Sequence, residues 1–176
     1  MSEQTYNQIK VLISEKEIDD KITAMAREIN ETYKDTLPVI VCVLKGSFIF
    51  CSNLVKKLNL PLLEIEFLAV SSYGNEIVTS GKVNLTMPLT GSIEGKDVLL
   101  VEDIVDTGIT SKFLINYIKE HNPKSIKFAS LLCKPEKLQD HINIDYLGFN
   151  IEDKFVIGYG LDYHGKYRTL PYIGYF

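Results

Sequence analysis

The chain has 176 residues, 45% of them apolar and 24% charged, with a formal net charge of −4. That length and balance support a single domain over residues 1–176 with a full core, and exclude a disordered chain. Mild acidity argues against nucleic-acid binding as the main role, and no apolar window is long enough for a transmembrane helix.

The opening stretch "MSEQTYNQIKVLI" lacks a basic segment followed by a long apolar run, so no export signal is expected. "IKVLI" at 9–13 predicts a short edge strand. Ser14 with Glu17 predicts a capping box, after which Ile18, Ile22, Met25 and Ile29 repeat at helical spacing. "VIVCVL" at 39–44 is continuously apolar and predicts a central strand. Lys45-Gly46-Ser47 then turns the chain into a helix, "FIFCSNLVKKL", before Pro61. "LLEIEFLAV" at 62–70 predicts another strand, and the strand–helix–strand order implies parallel pairing.

Residues 71–95 differ from the rest. Gly74, Gly81, Gly91 and Gly95 divide weakly β-like pieces rich in Ser and Thr, so a long exposed excursion with a hairpin is expected. Loops of this length carry function or disorder. "DVLLV" at 97–101 returns to the core, with a helix from about Thr110 to Glu120 and a strand, "SIKFASLLC", at 125–133. "IDYLGF" and "FVIGYG" predict two short late strands, and the aromatic tail is expected at the core edge or a subunit interface. Cys42, Cys51 and Cys133 are scattered, and buried free thiols in a reducing cytoplasm are expected.

Glu102, Asp103 and Asp106 stand where the buried run at 97–101 ends and a helix begins. Acids there could simply solvate a strand end or serve as turn and helix-start residues. A functional alternative is anion binding. Backbone N–H groups in a glycine-containing turn converge on a phosphate, the helix dipole favours it, and Gly108 permits close approach. Thr107 and Thr110 add hydroxyl donors. The chain has neither the ATPase loop pattern nor the dinucleotide fingerprint.

"VLLVEDIVDTGIT" resembles the phosphoribosyl-diphosphate motif of purine phosphoribosyltransferases, specifically the hypoxanthine–guanine branch. "LKGS" at 44–47, "SSYG" at 71–74, "SLLCK" at 130–134 and "FVIGYGLDYHGKYR" at 155–168 match in order, covering roughly residues 10–170. The resemblance implies an α/β phosphoribosyltransferase type I fold, with a central mostly parallel sheet flanked by helices. It also implies a small hood from the termini and a flexible hairpin lid over about 71–95.

It further implies a site. Asp106 would be the catalytic proton acceptor near purine N7, while Asp106, Thr107, Gly108, Ile109 and Thr110 would cradle the 5-phosphate. Ile109 stands where some relatives carry lysine, which shifts the cradle towards backbone donors. Glu102 and Asp103 would hold the ribose hydroxyls directly or through Mg²⁺, with Asp162 as a further magnesium-linked carboxylate. Lys134 would donate to the purine 6-oxo group, Phe155 would stack on the base, and the backbone of Val156 would read its edge. Phe155 read on its own is equally a core residue. Lys45 and Gly46 would form a diphosphate-binding turn, for which a cis Leu44–Lys45 bond stays open, and Arg168 would bind diphosphate. Ser72 and Tyr73 would belong to the lid, where Ser71 departs from the lysine of some relatives.

The implied partners are phosphoribosyl diphosphate, hypoxanthine, guanine, IMP, GMP and diphosphate, in a homodimer or homotetramer with no nucleic acid and no membrane. Two alternatives stay open: a xanthine-preferring phosphoribosyltransferase, and a non-catalytic RNA-binding regulator on the same fold. His121, His141 and His164 lack zinc spacing, and no hydrolase triad has independent support.

Overall fold

In the computed structural model, residues 8–72, 83–139 and 141–176 are described. The expected capping box forms: Glu17 N–H donates to the Ser14 hydroxyl, and the Glu17 carboxylate accepts from Ser14 N at 2.9 Å. Strand β1 (Lys10–Ile13) thus leads directly into helix α1 (Glu15–Thr32). Ile18, Ile22, Met25, Ala26 and Ile29 are the buried face of α1, as their spacing predicts.

The core strands follow as β2 (Val39–Leu44), β3 (Glu64–Ser72), β5 (Asp97–Val105), β6 (Ser125–Cys133) and β7 (Tyr146–Asn150). With β4 (Val83–Met87) they form a six-stranded sheet ordered β4-β3-β2-β5-β6-β7. Only the β3–β4 pair in this sheet is antiparallel. Alternate residues of the central strands enter opposite cores, which explains their unbroken apolar runs. Ile40, Cys42, Leu99 and Val101 pack with α1 and with α2 (Phe48–Val55). Val39, Val41, Val98 and Leu100 pack with Leu114 and Ile118 of α3 (Ile109–Lys119). Cys42, Cys51 and Cys133 are free and buried, as expected.

Both terminal regions build a second sheet, ordered β1-β9-β8, from β1, β8 (Val156–Ile157) and β9 (Ile173–Tyr175). This is the expected hood. Strand β9 was not expected: its "IGY" is too short and too glycine-rich for a strand pattern, and antiparallel partners on both sides impose it. β5 also extends four residues beyond the expected apolar run, through Glu102–Val105, because β6 pairs with it up to Cys133. The predicted hairpin excursion contributes β4, while Tyr73 lies outside the described residues. Ser72 is described only as the backbone end of β3.

Candidate active site

Because β2, β5 and β6 run parallel, their carboxyl ends lie along one sheet edge, where α/β folds bind ligands. β2 delivers Lys45 and Gly46 there through a cis Leu44–Lys45 peptide. β5 delivers Glu102, Asp103 and Asp106, and β6 delivers Lys134.

Two clefts open on this edge. One, about 280 Å³, is lined by Glu102, Asp103 and the Thr107–Ser111 region. The other, about 330 Å³, is lined by Lys45, Lys134, Phe155, Val156, Asp162 and Arg168. Gly46, Asp103, Ile104 and Asp106 border both, so these residues form the junction between them.

In the first cleft, Gly108 adopts φ +84° as the N-cap of α3, a conformation that glycine takes without steric cost. Gly108 and the first turn of α3 therefore lie at the cleft, and an α-helix start presents backbone donors and a favourable dipole to an anion. Ile109 occupies the first helical position, so no lysine side chain is supplied there.

Glu102 and Asp103 point away from each other, as neighbouring strand residues must, yet both line the same cleft. Glu102 is buried under α3, where its carboxylate accepts a 2.6 Å hydrogen bond from Ser111 Oγ. Burial raises its pKa to about 8, and the Asp103 charge adds to the rise, against the Ser111 bond. Asp103 lies against the diphosphate-turn candidate: a Cβ on Gly46 would overlap its carboxylate. Burial raises Asp103 to about 6, opposed by the backbone amides of Asp103 and Ile104 and by Arg168.

Ser111 was missed from the sequence, although Ser111, Leu114 and Ile118 share one buried helix face. A hydroxyl on an apolar stripe was the available signal.

In the second cleft, Lys134 is almost fully buried, with Nζ 3.3 Å from Asp106 Oδ2 and 3.1 Å from Asp153 Oδ1. Phe155 is 59% exposed and meets Tyr163 edge-on at 5.6 Å, so the alternative of a core residue is overturned. Its backbone ends a loop whose neighbour Val156 enters the hood sheet. Arg168 is fixed by a 2.6 Å ion pair to Asp162 and a 2.6 Å hydrogen bond to the Gly160 carbonyl. Gly160 itself packs so closely on Gly46 that a Cβ would overlap the Gly46 carbonyl. The hood is thereby pinned onto the turn after β2.

Apart from Ile109, every expected site residue with a described side chain lines one of these two clefts. Lys137 and Asp153, beside Lys134, were not anticipated. They sit in a 3-10 turn and a loop, where no periodicity marks them.

An edge that joins a helix-start cleft, two buried acids and a lysine-bearing cleft narrows the class of protein. The family model described as "Phosphoribosyl transferase domain" matches residues 13–164. The hypoxanthine-guanine phosphoribosyltransferase of Bacillus subtilis is 46% identical over 94% of this chain and 91% of its own length. In Listeria monocytogenes the same identity extends over 98% of this chain but only 27% of a bifunctional TilS/HprT protein. A crystal structure of a Bacillus anthracis hypoxanthine-guanine phosphoribosyltransferase, with HEPES in its active site, superposes with TM-score 0.90 at 40% identity, covering 96% of this chain and 99% of that one. The chain belongs to the hypoxanthine-guanine phosphoribosyltransferase family.

Proposed function

We propose that the protein transfers the 5-phosphoribosyl group from phosphoribosyl diphosphate to N9 of hypoxanthine or guanine, releasing IMP or GMP and diphosphate in purine salvage. The observation that carries this reading is the junction at Asp103 and Asp106 between the helix-start cleft and the lysine-bearing cleft. A phosphorylated sugar seated in the first and a purine seated in the second meet there.

The 5-phosphate takes backbone and hydroxyl donors from Asp106, Thr107, Gly108, Ile109 and Thr110. Lys134 donates to the 6-oxo group, which disfavours adenine, whose 6-amino group is itself a donor. Phe155 covers the ring face and the Val156 backbone meets the ring edge. As N9 bonds to the anomeric carbon and the bond to diphosphate breaks, Asp106 takes the purine proton. Lys45, Gly46 and Arg168 hold the departing diphosphate, Arg168 through its planar fork of donors. Ser72 and Tyr73 belong to the lid that excludes water.

Glu102, Asp103 and Asp162 fit Mg²⁺, since their oxygens are hard ligands. Among the described residues no group of three such ligands is gathered at one point. When bound, the ion neutralises charge on the diphosphate. The protein is expected in the cytoplasm as a homodimer or homotetramer; among the described residues no helix is long and apolar enough to cross a membrane. Exposed Phe48, Ile65 and Phe67 offer apolar surface for such an assembly.

Diphosphate release, followed with Mg²⁺, phosphoribosyl diphosphate and each of four purines, tests the reading. Hypoxanthine and guanine are expected to support release and adenine to fail. Activity confined to xanthine would overturn the specificity. Tight, specific RNA binding without release for any purine would overturn the transfer itself.

A further inference from the structure

Lys134 and Asp106, the two groups assigned to the base, sit within a ring of four charges. Lys134 Nζ lies 3.3 Å from Asp106 Oδ2 and 3.1 Å from Asp153 Oδ1. Lys137 Nζ lies 3.1 Å from Asp106 Oδ1 and 3.4 Å from Asp153 Oδ1. The ring is formally neutral, and its members differ in depth. The Lys134 side chain is 7% exposed, against 35% for Lys137 and 54% for Asp153.

Local structure builds the arrangement. Pro135–Lys137 forms a 3-10 turn in which Lys137 N–H bonds the Lys134 carbonyl at 3.1 Å, returning Lys137 to the side of Lys134. A purine with its 6-oxo group on Lys134 and N7 towards Asp106 competes with the direct bond between these two side chains. Had they only each other, the incoming base would leave a charge unpaired, which is costly for Lys134 with its side chain almost fully buried. The outer pair removes that cost. Asp153 stays with Lys134, and Lys137 stays with Asp106 Oδ1, an enclosed oxygen with no well-aligned hydrogen bond of its own.

We propose that Lys137 and Asp153 are positioning residues for purine binding, keeping Lys134 and Asp106 in place and charge-balanced while each turns from the other to the base. The inference rests on the transferase reading above. A purely structural surface ion pair would alter thermal stability slightly and leave substrate selectivity in place. A positioning role instead acts on one substrate.

Steady-state kinetics on Lys137→Met, Lys137→Arg and Asp153→Asn separate the two, with each substrate varied in turn at saturation of the other. The expected result for Lys137→Met and Asp153→Asn is a KM for hypoxanthine raised about three- to fivefold, as loss of a half-exposed ion pair implies. The KM for phosphoribosyl diphosphate stays at its wild-type value, and Lys137→Arg restores the purine KM. An unmoved purine KM in Lys137→Met, or equal rises for both substrates, overturns the proposal. Absence of transfer by the wild-type protein would overturn the functional reading and this inference with it.

Discussion

Asp106→Asn lowers turnover by about 10²–10⁴ while leaving the fold in place, the range that positioned proton transfer contributes. Asparagine keeps the shape of the side chain and can still meet the lysines through its carbonyl oxygen, but it cannot take up the purine proton. The Asp106 side chain is 42% exposed and lies at the cleft junction, outside both hydrophobic cores, so no packing is lost with the charge. Single-turnover measurements with saturating hypoxanthine and phosphoribosyl diphosphate separate this effect from product release. Turnover near the wild-type value would remove Asp106 from proton transfer, and unfolding by circular dichroism would make its role structural.

The second large effect concerns Glu102, where stability and binding pull in opposite directions. In the unfolded chain this carboxyl ionises near its ordinary value of 4.5, whereas in the folded protein burial holds its proton until about pH 8. Between those values the folded state binds more protons than the unfolded one, so stability falls as pH rises through that window. Ionising the buried carboxyl therefore costs the folded protein on the order of a few kcal/mol.

Glu102→Gln removes this penalty and keeps an oxygen for the 2.6 Å bond from Ser111 Oγ. In the protein without substrate, the variant is expected to melt several degrees higher than wild type at pH 8. Near pH 4.5 the two should be close, since wild-type Glu102 has its proton in most folded and many unfolded molecules. The same variant is expected to raise the KM for phosphoribosyl diphosphate about tenfold or more, because bound substrate favours the ionised carboxyl and a bond to a charged group typically contributes about 1.5–3 kcal/mol. Thermal scans at the two pH values, paired with kinetics at pH 8, check both halves. A lower Tm for the variant at pH 8 would refute the account of Glu102 as a neutralised buried acid.

Much of this arrangement was legible in the chain. Ile18, Ile22, Met25 and Ile29 gave the helix face, and runs such as Val39–Leu44 gave strands buried on both sides. Those are local periodicities, set by which side chains must leave water. The acids after residue 101 could be read from the residues alone either as a solvated strand end or as a site, and the family resemblance selected the site. β9 was not legible, since partners distant in sequence impose its conformation. Asp153 was equally hidden: its part in the ring exists only because the loop after β7 returns to the end of β6. The close approach of Asp103 to Gly46 is a third case, where two strand ends separated by dozens of residues meet without any pattern between them.

In the proposed reaction the 107–110 bend grips the sugar phosphate while Asp106 faces the purine. A crystal structure with Mg²⁺, phosphoribosyl diphosphate and an unreactive purine analogue tests it most directly. The expected density places the 5-phosphate on the backbone amides of that bend, with the analogue between Lys134 and Phe155 and its five-membered ring towards Asp106. Phosphate bound elsewhere, with the Asp106 carboxylate turned from the ring, would contradict it.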